Sequence, residues 1–157
     1  PDRDLYEDLY AWLKFLDNVE AFSTWRYRFL LSAFTLRFME RLGYKVELRN
    51  CLSCQEQIMP LSFRWHTGKG GLVCTDCVKD EKQEWIDTKS VTQEMVMLLR
   101  MARENQFNDL LAARLPLDHL RQMLDITHEL MQYHVPFASE IPFWQGVLTL
   151  DSVPTNV

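Results

Sequence analysis

Two pairs of cysteines constrain this chain more than any other feature of its sequence. Cys51 and Cys54 are separated by two residues, as are Cys74 and Cys77, and nineteen residues lie between the pairs. A two-residue spacer lets both thiolates of a pair reach one ion from a tight turn, and a gap of about 15–20 residues is typical of zinc sites. Structural zinc takes four tetrahedral ligands and binds thiolate sulfur well. The sequence therefore predicts one structural Zn2+ per chain, held by these four cysteines.

Other states of the cysteines remain open at this point. Two disulfides or free thiols would suit the spacing, but the acidic first eight residues are no secretory signal. A redox pair of the thioredoxin type needs one reactive C-x-x-C beside a βαβ unit, which this sequence does not predict. His66 lies between the two pairs. We expect it on the exposed surface of a hairpin, because four cysteines already complete the shell.

Outside the cysteine region, apolar residues recur at the helical steps of three and four. Short apolar runs at 61–65 and 72–73 are typical of hairpin strands. We therefore predict a mainly α protein, a helical bundle with an inserted four-cysteine zinc-knuckle and β-hairpin module at about 45–87. Its length suits a single domain over 1–157.

The predicted helices cover about 5–18, 24–42, 90 onward, 107–114 and 117–134. The first has its apolar face on Leu5, Leu9, Trp12, Leu13 and Leu16. The second is apolar around most of its circumference and is followed by Gly43, so we expect a buried central helix with a glycine C-cap. Ser90 and Gln93 fit a capping box. Residues 137–157 have no clear period and are expected to be docked coil or partly disordered.

The net charge of −5 and the pI near 5.4 weigh against bulk nucleic-acid binding, for which a domain pI above ~9 is typical. The acidic excess lies in residues 78–157. On the second predicted helix, Arg26, Arg37 and Arg41 share one stripe. This arginine strip is a candidate binding site for DNA phosphates or an acidic protein tail. Alternatively, the arginines border a buried helix and pair with acidic helices beside it.

Several function classes find no support in the sequence. It has no glycine-rich phosphate loop, no G-x-S-x-G motif and no spaced carboxylate pair with an evident base. A closed four-thiolate shell has no open position for a reacting water. We therefore expect no enzymatic activity. The longest uncharged apolar run near the N-terminus, 29–36, is far shorter than the ~20 residues of a membrane span.

The elements around the cysteines resemble the C-terminal part of the RecO family of bacterial DNA repair proteins. They are a helix ending in Leu42-Gly43-Tyr44, the first cysteine pair, and the segment Gly70-Gly71-Leu72-Val73-Cys74-x-x-Cys77. A helix ending near His134 and a following segment with Ser139 extend the resemblance to about residues 5–145. The resemblance implies an N-terminal OB-fold that this chain does not contain. Because the sequence starts at Pro1 without Met, we expect a piece of a longer chain.

The resemblance also implies a function, that of a non-enzymatic recombination mediator in the bacterial cytoplasm. Such proteins bind single- and double-stranded DNA, anneal complementary strands and partner with RecR. They help load the RecA recombinase onto DNA coated by single-stranded-DNA-binding protein, whose acidic C-terminal tail docks on the helical domain. Carried over residue by residue, the resemblance assigns a role only to Cys51, Cys54, Cys74 and Cys77, as zinc ligands. The main alternative is a zinc-stabilised protein-interaction adaptor unrelated to DNA repair.

Overall fold

The computed structural model describes residues 3–18 and 23–135. In these residues the chain forms, in order, α1 (Arg3–Asn18), α2 (Thr24–Arg41), β1 (Phe63–His66), β2 (Gly71–Cys74), α3 (Thr75–Asp80), β3 (Thr88–Lys89), α4 (Gln93–Glu104), α5 (Phe107–Ala112) and α6 (Leu117–His134). None of these helices is both long and apolar enough to cross a membrane. The predicted mainly α fold with a small hairpin module is confirmed. The coil expected at 137–157 lies outside the described residues.

Helix α2 is the centre of the bundle and packs against α1, α4, α5 and α6. The Ser23 side chain caps its first turn by accepting a hydrogen bond from the Arg26 backbone amide at 3.3 Å. At the other end, Gly43 has a φ of +93°, and its amide donates to the Glu40 carbonyl. The Tyr44 amide donates to the Met39 carbonyl at 2.9 Å, which completes a Schellman motif. The predicted buried helix with a glycine C-cap is confirmed.

Helix α1 turns a different face to the bundle from the predicted one. Leu9 and Leu13 are 41% and 52% exposed, whereas Trp12 and Phe15 are buried. The Trp12 ring lies 5.0 Å from the Phe34 ring, centroid to centroid. Aromatic side chains bury more area than leucine and pair favourably at such distances. The aromatic contacts therefore set the rotation of α1, and the prediction for Leu9 and Leu13 was wrong.

Two further details of the helices differ from expectation. Helix α4 begins after Thr92, whose hydroxyl accepts from the Met95 amide at 3.2 Å. Ser90 instead accepts a hydrogen bond from Arg64 of β1, so the predicted capping box was wrong. The short helix α3 was not predicted at all, because a six-residue segment holding one cysteine carries no readable period.

The region between α2 and α4 forms a three-stranded antiparallel sheet with strand order β2-β1-β3. Trp65 of β1 pairs with Leu72 of β2, and both side chains are fully buried. The turn between the strands ends at Gly70, which has a φ of +62°. The next residue, Gly71, forms a parallel bridge with Glu47, which adds the chain before the first cysteine to the sheet. We call the segment 45–89 the knuckle.

A hydrogen bond and an ion pair connect the knuckle to the helices. The Arg100 guanidinium of α4 donates to the Leu48 carbonyl, with its Nε 2.9 Å away. On the other side, Lys89 of β3 forms an ion pair with Glu129 of α6 at 2.5 Å. The knuckle therefore lies against α4 and α6, and the helices fix its position.

The close approach at Gly71 gives a testable prediction for the fold. A Cβ atom at this position would lie 2.8 Å from the Glu47 carbonyl oxygen and 3.1 Å from a Leu52 methyl carbon. Because the first contact is with backbone, Gly71→Ala must separate two paired segments, and we expect it to lower the free energy of unfolding by ~2–3 kcal/mol. Chemical denaturation measures this loss.

Gly43→Ala is the matched control, since a Cβ there meets nothing within 4 Å and only the left-handed backbone opposes it. We expect a loss of ~1 kcal/mol for that variant, which is the cost of a Cβ in the left-handed conformation. A Gly71→Ala loss no larger than the Gly43→Ala loss would contradict the packing at Glu47.

Candidate metal centre and arginine surface

Four cysteine sulfurs converge beside the hairpin. Cys51 and Cys54 lie in the loop before β1, Cys74 ends β2, and Cys77 lies in α3. Their Sγ atoms all lie within 4.8 Å of one another, with 4.0 Å between Cys54 and Cys74, and all four are free thiols. A tetrahedral shell with metal–sulfur bonds of ~2.3 Å has sulfur–sulfur edges of ~3.8 Å. The four cysteines are therefore close enough together to hold one metal ion.

Backbone hydrogen bonds shape the first cysteine loop. The Cys51 amide donates to the Glu56 carbonyl at 2.8 Å, and the Gln55 amide donates back to the Cys51 carbonyl at 3.0 Å. Gln55 has a φ of +63°, which closes this turn. The Leu52 amide donates to the Leu72 carbonyl at 2.9 Å and so places the loop beside β2. The fold itself brings the first pair to the second.

The thiols differ in how readily they ionise. Burial opposes ionisation of Cys51, but backbone amides of Cys74, Cys54 and Ser53 donate to its sulfur and lower its pKa to about 7. Burial, with the neighbouring Cys77 and Cys51 sulfurs, raises the pKa of Cys74 to about 12. Four adjacent thiolates repel one another, so their joint ionisation requires a cation among them. The donor set thus fits a thiophilic metal ion.

His66 is not part of this cluster. His66 as a whole is only 8% exposed, and the Nδ1 of its ring accepts a hydrogen bond from the Lys69 backbone amide at 3.1 Å. The ring also lies edge-on to Trp85, with 5.7 Å between centroids. The expectation of an exposed hairpin histidine was wrong, because the ring fills space between the hairpin turn and Trp85. Burial lowers the pKa of His66 below its ordinary value.

The structure places the three residues of the arginine strip in different surroundings. Arg26 donates to the carbonyls of Leu110 and Ala113 at the end of α5. Arg37 donates to the carbonyls of Ala102 and Asn105 at the end of α4. Both guanidiniums therefore bind carbonyl groups at the C-terminus of a helix, where the helix dipole favours positive charge.

Arg41 lies on the surface of α2 and is paired with carboxylates of α1. Its Nε lies 2.6 Å from Asp8 and its Nη1 lies 3.6 Å from Asp4. The Arg41 side chain is 45% exposed, so solvent and other anions can reach it. The alternative of pairing with a neighbouring acidic helix thus describes Arg41 in this structure, and binding of DNA or an acidic tail by the strip stays a prediction.

Arg37 and Arg41 also line a surface cavity of about 510 Å³ where α1, α2, α4 and α5 meet. Its apolar lining is Ala11, Phe34, Phe38 and Phe107, and its charged lining adds Asp8, Glu40, Arg103 and Glu104. Arg26 is not among the lining residues. The structure therefore brings two residues of the strip together and places the third elsewhere.

The aromatic side of this cavity was not predicted from the sequence. On α2, Phe38 follows Phe34 by four residues and Arg41 follows Phe38 by three, which puts all three on one helix face. That spacing was a readable signal. Phe107 carried none, because it approaches α2 from another helix, where its ring lies 4.3 Å below the Arg37 guanidinium.

Comparisons with known proteins point to one family. A family model described as "Recombination protein O C terminal" matches residues 1–139. Over 73 residues the chain is 29% identical to a protein of Dehalococcoides mccartyi named DNA repair protein RecO. That match covers 46% of this chain and 27% of the relative, so the aligned part is about a quarter of the relative's length. No solved structure matches. Since the family model covers most of the sequence and includes both cysteine pairs, the chain belongs to the RecO C-terminal family.

Proposed function

We propose that this chain is the zinc-bearing helical domain of a bacterial recombination mediator, which acts in DNA repair by binding DNA and proteins. The observation that carries the proposal is the family match over residues 1–139, with four cysteine sulfurs converging inside it. The match favours this role over an adaptor unrelated to DNA repair. Because a four-thiolate shell has no open position for substrate, the metal serves folding and the domain does no covalent chemistry. The protein works in the cytoplasm.

Zinc is the metal that best suits this centre. Four thiolates in a tetrahedral arrangement are the donor set of structural zinc sites, whereas hard cations such as Mg2+ and Ca2+ prefer oxygen. The two short strands β1 and β2 and the six-residue α3 are too small to be stable alone. The metal ties their ends together and gives the knuckle a fixed shape for partner contacts.

The partners follow from the family. We propose that the full-length protein binds single- and double-stranded DNA, pairs with RecR, and helps load RecA onto coated single strands. The acidic charge of this domain disfavours a dominant share in DNA binding. Arg26 and Arg37 are engaged with backbone carbonyls, which further reduces the free positive surface. This domain therefore contributes mainly contacts with proteins.

The cavity where α1, α2, α4 and α5 meet suits the acidic tail of single-stranded-DNA-binding protein. A tail that ends in acidic residues and a phenylalanine needs an apolar space beside a positive charge. Phe34, Phe38 and Phe107 offer aromatic surface to the ring, and the half-exposed Arg41 can pair with carboxylates. Because Asp8 holds Arg41 at 2.6 Å, an incoming carboxylate must displace it.

This competition predicts opposite effects for two substitutions. We expect Arg41→Ala to weaken binding of an acidic peptide ending in phenylalanine by about three- to tenfold, because a carboxylate partner is lost. We expect Asp8→Asn to tighten binding, because it frees Arg41 and removes a repelling charge. Fluorescence anisotropy of a labelled peptide at low and high salt measures both, and salt should weaken binding throughout.

Arg121→Ala is the control for net charge, since it removes the same charge from an exposed position on α6 that does not line the cavity. Arg37 is left unchanged in this test because it holds the end of α4. Peptide affinity that falls equally in Arg41→Ala and Arg121→Ala, or no binding at low salt, would refute the site.

The proposed zinc gives a second prediction. Cys74→Ser removes one ligand, and we expect the knuckle to unfold, since structural zinc contributes ~10–16 kcal/mol in finger peptides. Hydrogen exchange should show lost protection in β1 and β2 while the core of α2 and α6 keeps its protection. Chelation of the wild-type metal should reproduce the pattern. Unchanged protection in both experiments would contradict the metal's role.

A further inference from the structure

Glu81, four residues after the last cysteine, links the segments that carry the two cysteine pairs through its side chain. Its carboxylate oxygen Oε2 accepts a hydrogen bond from the Ser53 hydroxyl at 3.1 Å. The same oxygen accepts from the indole Nε1 of Trp85 at 2.9 Å. Ser53 lies between Cys51 and Cys54, whereas Glu81 follows the helix that carries Cys77. The contact therefore spans both halves of the metal centre.

Both ends of this link are firmly held. The Glu81 amide donates to the Cys77 carbonyl at 2.9 Å, which fixes its backbone at the end of α3. Trp85 is only 3% exposed and belongs to the knuckle core. On the other side, the Ser53 amide lies 3.4 Å from the Cys51 sulfur and donates to it. A shift of Glu81 would therefore displace Ser53 and the loop that carries Cys51.

Glu81 places a negative charge close to the four cysteine sulfurs. Four thiolates around a divalent ion carry net negative charge, so a carboxylate nearby is repelled. A group placed there against this repulsion needs a compensating interaction, and the two hydrogen bonds to one oxygen supply it. Hydrogen bonds to a charged acceptor are about twice as strong as those between neutral groups.

We infer that Glu81 is a positioning residue of the metal centre. Its hydrogen bond with Ser53 holds the Ser53 loop against the end of α3 and so slows release of the metal, and we call this hydrogen bond the latch. The inference rests on the zinc proposed above. Partners of metal ligands commonly change metal affinity by about 10–100-fold when they are removed. Cys54 is the exposed ligand and lies in the Ser53 loop, so opening of this loop is the route by which a chelator reaches the metal.

The test measures the rate of zinc transfer from the folded protein to an excess of a chromophoric chelator. We expect Glu81→Ala to release zinc about tenfold faster than wild type or more. Glu81→Gln should stay within about threefold, because both donors use one oxygen and an amide carbonyl can replace it. Glu84→Ala is the control, since it removes the same charge from the same turn but from a residue paired with Lys69.

Ser53→Ala distinguishes loss of the Ser53–Glu81 hydrogen bond from a general loss of stability. It should speed release several-fold in the wild-type background and add nothing to Glu81→Ala, because the two side chains form one contact. It also keeps the test decisive if Glu81→Ala fails to fold. Thermal denaturation of the helices should be the same in all these zinc-loaded variants.

Three results would overturn the latch. They are wild-type release rates in Glu81→Ala, independent effects of Ser53→Ala and Glu81→Ala that multiply in the double variant, and Glu84→Ala matching Glu81→Ala. Each leaves the zinc proposal intact, provided that the wild type carries zinc. A wild-type protein that binds no zinc would instead overturn both.

Discussion

The convergence of four sulfurs within 4.8 Å is the constraint on which the middle of this protein depends. The cysteines come from a loop, the end of a strand and a one-and-a-half-turn helix, none of which is stable alone. Backbone hydrogen bonds such as that from the Leu52 amide to the Leu72 carbonyl bring the first cysteine pair to the second, and one ion bound by all four sulfurs would make this approach cooperative. The glycine at position 71 contributes to the same arrangement, because the absence of a side chain at Gly71 lets the chain at Glu47 join the sheet beside the four cysteines.

Hydrogen bonds from arginine side chains to backbone carbonyls are the second interaction that holds the elements of the fold together. Arg26 and Arg37 of the central helix bind carbonyls at the ends of α5 and α4, and Arg100 binds a carbonyl of the knuckle. Each of these arginines donates to a backbone carbonyl of another element and so joins the two elements. These positive charges therefore hold elements together, and the surface offers fewer of them to an anionic ligand than the composition suggests. Arg41, half-exposed beside an aromatic cavity, is the member of the strip that remains accessible to a partner.

Much of this arrangement was predictable from the sequence. Cysteine spacing alone predicted the cluster, and apolar spacing predicted α2 and α6, because both signals are local. The rotation of α1 was not predictable from its own sequence. Trp12 and Phe15 are buried in place of Leu9 and Leu13 because their rings contact Phe34 and Phe107 from other helices. The start of α4 was misplaced because Arg64 of a distant strand engages Ser90. Contacts between elements far apart in sequence decided each of these cases.

X-ray absorption spectroscopy of the purified, reduced protein at the zinc edge, with elemental analysis of the same sample, tests the metal centre most directly. We expect one zinc per chain in a shell of four sulfurs at about 2.3 Å. A reduced protein without transition metal, or a zinc shell dominated by nitrogen or oxygen, would contradict it.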